Sequence, residues 1–323
     1  MKLEKPRRAP FTTPVLIIAF NRPQYVKMQL EQLRLVQPKT IYIACDGPRE
    51  HYPDDLEKVE QVKVSYLEGI DWECDIHTSF STENLGCSKG PIQAISWFFS
   101  RVEFGIILED DIIPSQDFFG FMAQMLDFYR SQHKVISISG CNFGYQSPSN
   151  HVVVSKIMNM WGWGTWANRW HAIDFELKDW PSKARKRWYL HQRLKTGVLD
   201  YDAGWIRHWQ QIFDKTVTAH KVTWWDYQFI YHQLKWKRVT LFPPVNLVKN
   251  IGFDADATHT FEKAHFSKYL SWQELHWPLQ MPTAFKVDCV FYEHYIKGIW
   301  SFYKRPNWNY FLGQWLKRLG LKR

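Results

Sequence analysis

The sequence predicts an α/β fold built on a mostly parallel sheet flanked by helices. Three observations point to it. Short apolar runs alternate with helical periodicity over the first 140 residues, turn residues bound each run, and polar or acidic residues follow the runs at their carboxyl ends. Strands buried on both faces read as continuous apolar runs, as these do. Right-handed crossovers then gather the carboxyl ends on one rim, where such sheets bind ligands.

The elements follow in order. Pro14 and the turn Asn21-Arg22-Pro23 bracket the first apolar run, 15–20. A helical pattern over 24–36, ended by Pro38, leads to a second run at 41–45, closed by Asp46-Gly47-Pro48. A helix over 55–67, a strand over 75–80 and a loop at 83–90 come next, then a helix opening at Pro91 and a strand over 105–108. Glu109-Asp110-Asp111 closes that strand, and a helix over 116–130 and a strand over 135–139 complete the alternation. Beyond residue 140 the pattern fades into Trp-rich and charged segments at 160–166, 183–193, 223–227 and 250–253, a half expected to carry substrate specificity.

Composition narrows the class. With 45% hydrophobic and 23% charged residues, neither disorder nor a fibrous repeat fits. The 18 Trp and 22 Phe offer flat apolar faces suited to stacking on sugar rings, and any single one is equally at home in a core. Five widely spaced cysteines without a Cys-x-x-Cys pair suggest neither a zinc site nor a disulfide framework, so a reducing cytoplasm is expected. The run at 15–20 is too short for a signal peptide or a membrane span, which makes a soluble protein the expectation.

A net charge of +9 calls for an anionic partner. Residues 297–323 hold Lys and Arg but no acids, with apolar residues at 308, 311, 312, 315, 316 and 319. Two readings fit this helical spacing: a peripheral contact with the anionic inner membrane face, or a terminal helix docked on the core. The run Lys183-Ala184-Arg185-Lys186-Arg187 is either a solvated face or a seat for an anionic acceptor.

Three consecutive carboxylates at the end of a buried strand repel one another and call for positive compensation. Mg²⁺ or Mn²⁺, bound by one or two carboxylates and substrate phosphates, supplies it; a solvated acidic loop is the alternative. On a nucleotide-diphosphate sugar, such a cation neutralises the leaving diphosphate. Lys89, in the loop before the helix at Pro91, is a candidate diphosphate contact, because helix N-termini favour anions.

Several of these features resemble a known family: Phe20-Asn21-Arg22 after the first strand, Asp46 after the second, Glu109-Asp110-Asp111 trailed by Asp117-Phe118-Phe119, the Trp-Gly segment at 161–166, and Trp225-Asp226. Over about residues 14–260 the chain resembles the N-acetylglucosaminyltransferase I family and a broad group of bacterial GT-A nucleotide-diphospho-sugar transferases. The resemblance implies a GT-A catalytic domain over 1–260, with a nucleotide-binding half at about 12–140 and a Trp-rich acceptor-side half at about 141–260, then a basic aromatic C-terminal helical extension at 261–323. It implies a metal-dependent glycosyltransferase that moves a sugar from a UDP-sugar to a hydroxyl of a glycan or glycolipid. Carried over by position, Asp111 binds Mn²⁺ or Mg²⁺, and Asp110 and Glu109 contact ribose and donor sugar. Asp46 and Arg22 hold the base and its surroundings, Phe20 edges the pocket, and Trp163 and Trp225 belong with the donor site. Asp226 is then the general base for the acceptor hydroxyl, an arrangement that inverts the anomeric centre; as a lone Asp it could equally cap a helix.

His259 falls where many GT-A enzymes place a closing loop, and is either a second metal ligand or structural. The chain departs from the eukaryotic pattern in its basic aromatic tail and in showing no membrane anchor, so that family's compartment and protein-glycan acceptor are not carried over; the basic run at 183–187 and the C-terminal helix suggest a lipid-linked or lipopolysaccharide-type acceptor near an anionic membrane face. A nucleotidyltransferase is one rival, but it normally carries a Gly-rich basic phosphate loop where this chain has Phe20-Asn21-Arg22-Pro23. A non-catalytic carbohydrate- or nucleic-acid-binding protein is the other. It has no use for clustered carboxylates, which repel phosphates, and no nucleic acid partner is expected.

Overall fold

In the computed structural model, residues 1–5, 10–180, 185–194, 203–219, 222–252 and 271–304 are described. A short strand β1 (Lys2–Leu3) precedes the predicted alternation: β2 (Val15–Ala19), α1 (Pro23–Val36), β3 (Thr40–Cys45), α2 (Asp55–Gly69), β4 (Asp75–Phe80), α3 (Gly86–Phe99), β5 (Phe104–Glu109), β6 (Ile112–Pro114), α4 (Gln116–Phe128) and β7 (Val135–Ser139). The later part contributes β8 (Val153–Ser155), β9 (Trp163–Trp166), α5 (Ala167–Trp170), α6 (Lys186–Leu194), α7 (Ala203–Thr218), α8 (Asp226–Lys235), β10 (Val239–Phe242), β11 (Val248–Asn250), β12 (Leu279–Gln280) and α9 (Cys289–Lys304).

Eight strands make the central sheet, in the order β4-β3-β2-β5-β9-β7-β10-β8. Parallel pairing joins β4, β3, β2 and β5, and also β7 and β10; β9 and β8 run antiparallel to their neighbours. This is the mostly parallel, helix-flanked sheet that the alternation predicts. Val15, Leu16 and Ile17 of β2 and Ile106, Ile107 and Leu108 of β5 are buried, consistent with central strands covered on both faces. Pro23 opens α1, where its missing N–H costs nothing, and Ser115 caps α4 by accepting from the Phe118 N–H at 3.3 Å.

Two sequence expectations need correction. The helix expected to open at Pro91 begins at Gly86, with Pro91 inside it. The Asp46 carboxylate accepts the N–H groups of Leu85 and Gly86, both at 2.9 Å, and so orders the turn that starts the helix earlier. The Trp-Gly segment is a central strand rather than part of an irregular half, because β9 fills the gap between β5 and β7. Its small residue is needed there: a Cβ on Gly164 would sit 2.9 Å from the Gly105 carbonyl oxygen and 2.8 Å from Met122.

The C-terminal segment contributes to the same body. β12 pairs with β1, the Asp288 N–H donates to the Val154 carbonyl at 2.9 Å, and Phe291, Tyr292 and Tyr295 of α9 join the core. The amphipathic positions 308–319, the candidate ligand His259, and Lys183 and Ala184 of the basic run lie outside the described residues. Among the described residues no helix is long and apolar enough to cross a membrane, and the five cysteines are unbridged.

Candidate active site

The carboxyl ends of β2, β3 and β5 open onto a cavity of about 1060 Å³. Phe20, Arg22, Asp46, Glu109, Asp110 and Asp111 line it from the sheet rim, and Trp225 and Asp226 from the start of α8. Eight of the eleven candidate residues therefore share one space, although 206 positions separate the first from the last. Topology does this: parallel strands with right-handed crossovers all end on the same side.

The acidic run forms a tight turn between β5 and β6. Gln29, fully buried on α1, holds that turn by donating through Nε2 to the carbonyls of Glu109 (3.0 Å) and Ile112 (2.9 Å), while the Tyr66 hydroxyl donates to its Oε1 at 2.8 Å. The Phe20 N–H donates to Asp110 at 3.0 Å. One Arg22 guanidinium nitrogen reaches both Asp110 (3.0 Å) and Asp111 (2.9 Å). From the other side the Ile251 N–H donates to the Asp111 carbonyl at 2.9 Å, and Gly252 packs so closely that a Cβ would run into the Asp111 carboxylate.

Electrostatics follow from burial and crowding. Desolvation, then Asp111, Asp110 and Asp226, push Glu109 up to about 8. Desolvation and the charge of Asp110 raise Asp111 to about 6 against the opposing pull of Arg22, and burial raises Asp110 as well. Burial disfavours the Arg22 charge, yet Asp110 and Asp111 outweigh it and hold the guanidinium above its ordinary range. Burial and crowding thus favour the protonated form of Glu109, which can donate a hydrogen bond.

Asp111 Oδ1 is buried without a hydrogen-bond partner. A desolvated carboxylate oxygen with no donor is costly, and an oxygen-seeking divalent cation is the kind of partner that would satisfy it. The donor set fits such an ion in part: hard carboxylates are present, but no ready cluster of three or more ligating side chains occurs among the described residues. A cation here would take its remaining oxygens from substrate and water, as Mg²⁺ and Mn²⁺ sites with few protein ligands do.

The other candidates separate. Asp46 lines the cavity but is already engaged, accepting from Gly47, Leu85, Gly86 and the Asn84 side chain. Trp163 is fully buried in β9 against Trp170, Trp225 and Phe229 and does not line the cavity, which corrects its assignment to the donor site. Trp161, two residues earlier and half-buried, lines it instead. Lys89 is exposed within α3 and does not line the cavity, because the helix starts before it and turns it outward.

A second wall of the cavity carries no motif in the sequence. Trp205, His208, Trp209, Ile212 and Lys215 line the cavity from α7, a helix whose apolar periodicity resembles that of any packed helix. Burial lowers His208 to about 4, so it is neutral at physiological pH. Arg49 also lines the cavity; it pairs with Asp55 (2.6 Å) and lies over the rings of Phe20 and Tyr52. The only sequence signal for Arg49 is its nearness to Asp46-Gly47-Pro48.

No protein-family model matches the chain. Solved structures similar to it include a mannosyltransferase from Pyrobaculum calidifontis in complex with GDP-Man and Mn²⁺, at 11% identity and TM-score 0.32, covering 72% of this chain and 76% of that one. An apo-UDP-glucose pyrophosphorylase matches at 9% identity and TM-score 0.37, covering 74% and 93%. The inositol-1-phosphate CTP transferase from T. maritima matches at 9% identity and TM-score 0.34, covering 80% and 95%. At these scores the likenesses carry nothing about activity.

Proposed function

We propose that the protein is a divalent-cation-dependent glycosyltransferase of the GT-A type, related to the N-acetylglucosaminyltransferase I family, that transfers a sugar from a nucleotide-diphosphate sugar, UDP-linked by preference, to an acceptor hydroxyl. One observation supports it above the rest: the acidic turn, with its unpartnered Asp111 oxygen, and Asp226 on another element face the same cavity. A site for anionic donors that is lined with carboxylates works only if a cation intervenes.

In this reading the rim at 12–140 holds the donor and the half at 141–260 meets the acceptor. Asp111 holds the cation, with His259 as a candidate second ligand from outside the described residues. When bound, Mn²⁺ or Mg²⁺ neutralises the charge that builds on the leaving diphosphate. Phe20, Asp46 and Arg49 border the nucleotide, and Glu109 and Asp110 hydrogen-bond to donor hydroxyls. Asp226 takes the proton from the acceptor hydroxyl as its oxygen attacks the anomeric carbon, which inverts that centre. The start of α8 puts Trp225 beside it, where one apolar face helps exclude water.

Transfer is favoured over nucleotidyl chemistry by the turn after β2. Residues 20–23 contain no glycine, so the turn lacks the glycine-rich backbone of a phosphate loop. Product analysis tests this. With Mn²⁺ and a panel of sugar nucleotides, slow hydrolysis or transfer should release a nucleoside diphosphate. Release of pyrophosphate from a nucleoside triphosphate and a sugar phosphate would instead identify a nucleotidyltransferase.

A further inference from the structure

Arg22 stands out as a cation already seated on Asp111, the residue assigned to metal, and on its neighbour Asp110. Its guanidinium nitrogen lies 3.0 Å from an Asp110 oxygen and 2.9 Å from an Asp111 oxygen, in a turn where Asp110 also accepts the Phe20 N–H. Asp111 thus offers one oxygen without a partner and one already neutralised. Backbone fixes where Arg22 starts: it is the residue before Pro23, which opens α1, and the neighbouring Asn21 side chain is tied to Asp55 at 2.7 Å.

Two cations on one carboxylate repel each other across a partly desolvated turn, and the guanidinium cannot lose its proton to relieve this. A divalent ion arriving alone must share Asp111 with Arg22. A nucleoside diphosphate changes the balance, since its oxygens can satisfy both the metal and the guanidinium. From this geometry, and resting on the proposed function, we propose that Arg22 is a positioning residue that makes metal uptake conditional on the diphosphate of the donor. In the resting protein it holds the place of the cation. With the donor present, it turns part of its charge toward the diphosphate and leaves Asp111 to the metal. Linkage requires the reciprocal effect, so metal tightens the diphosphate by the same factor that diphosphate tightens metal.

The experiment is Mn²⁺ titration of the full-length protein by calorimetry, with electron paramagnetic resonance of free Mn²⁺ as a second readout, alone and in saturating UDP, GDP or CDP in turn. The wild type should bind Mn²⁺ at least about tenfold tighter with one of these nucleotides than without, a coupling of ordinary allosteric size. In Arg22→Gln, Mn²⁺ alone should bind tighter than in the wild type and the coupling should shrink to within about threefold of unity. Arg22→Lys, which keeps a charge but not the planar fork, should fall between the two, and it serves if the glutamine variant does not fold. Equal Mn²⁺ affinity in the wild type with and without every nucleotide would overturn the role of Arg22 while leaving the metal site intact. Wild-type coupling that persists in Arg22→Gln, or in Arg22→Lys should that be the variant that folds, would do the same. Absence of Mn²⁺ binding under all conditions would remove the proposed function and this role together.

Discussion

The two walls of the cavity are built on different principles. On the sheet side, β2, β3 and β5 end together, and Phe20, Asp46 and Glu109 to Asp111 come to the rim because the strands are parallel. Backbone topology positions these groups, and buried bonds such as those from Gln29 hold them. On the far side, α7 and the segment at 158–161 present Trp161, Trp205, His208 and Trp209, which are held by side-chain contacts: Trp205 and Trp209 pack together, Trp205 donates to the Tyr292 hydroxyl of α9, Trp209 packs on Tyr227 and Trp161 on Phe143. In the proposed reaction, chain topology fixes the reacting groups while the surface beside them stays free to change with the acceptor. Substitutions on the sheet side should therefore affect chemistry or the fold, and those on the α7 side should affect which molecule is accepted.

The largest expected effect concerns the one group on the α8 side assigned to chemistry. Asp226→Asn should cut turnover by about 10² to 10⁴-fold, the usual contribution of a general base, while nucleotide and Mn²⁺ binding measured by calorimetry stay unchanged. Unaltered turnover would return Asp226 to a structural role at the start of α8.

Next is the pair of tryptophans that separates core from cavity. Trp163→Ala should cost about 3–5 kcal/mol in denaturant unfolding, as expected for a large aromatic removed from a packed strand. Trp161→Ala should cost less, under about 3 kcal/mol, as expected for a half-buried side chain at the edge of the core, and should alter acceptor use. Equal losses for the two would contradict the division of the walls.

A smaller effect tests the electrostatics. Glu109 is held at about 8 by burial and its acidic neighbours, so the folded protein keeps a proton that the unfolded chain releases near ordinary carboxylate values. That stability is complete below about pH 4 and fades as pH rises toward and through 8. Between pH 6.5 and 8.5, the melting temperature of the metal-free wild type should fall relative to that of Glu109→Gln, which has no such proton to lose. Parallel profiles would show that Glu109 is ionised throughout.

The smallest effect belongs to Lys89. Exposed and away from the cavity, Lys89→Ala should change nucleotide affinity by less than about twofold, as is usual for a surface substitution.

How much could be read in advance follows the same divide. Apolar runs that switch abruptly to Asn21-Arg22, Asp46 and Glu109-Asp110-Asp111 mark buried strands and their rim, because burial on both faces removes ambiguity about which residues face in. The second half hides its strands. β9 is four residues of tryptophan, glycine and threonine, and β8 and β10 are three and four residues long, too short for periodicity to register. Tryptophan compounds the difficulty: Trp163 and Trp161 are equally suited to a core or to a sugar ring, and only packing distinguishes them. Arg22 was legible as a rim residue, but its ion pairs were not, since they depend on a turn 88 residues away in sequence.

The proposed function requires this cavity to take a sugar nucleotide together with a divalent cation. Thermal shift of the full-length protein against a panel of sugar nucleotides, with and without Mn²⁺, tests it directly, because a ligand bound only by the folded state raises its apparent stability. One class of sugar nucleotide should stabilise the protein, and only when Mn²⁺ is present. Stabilisation by every nucleotide regardless of metal, or by none, would contradict it.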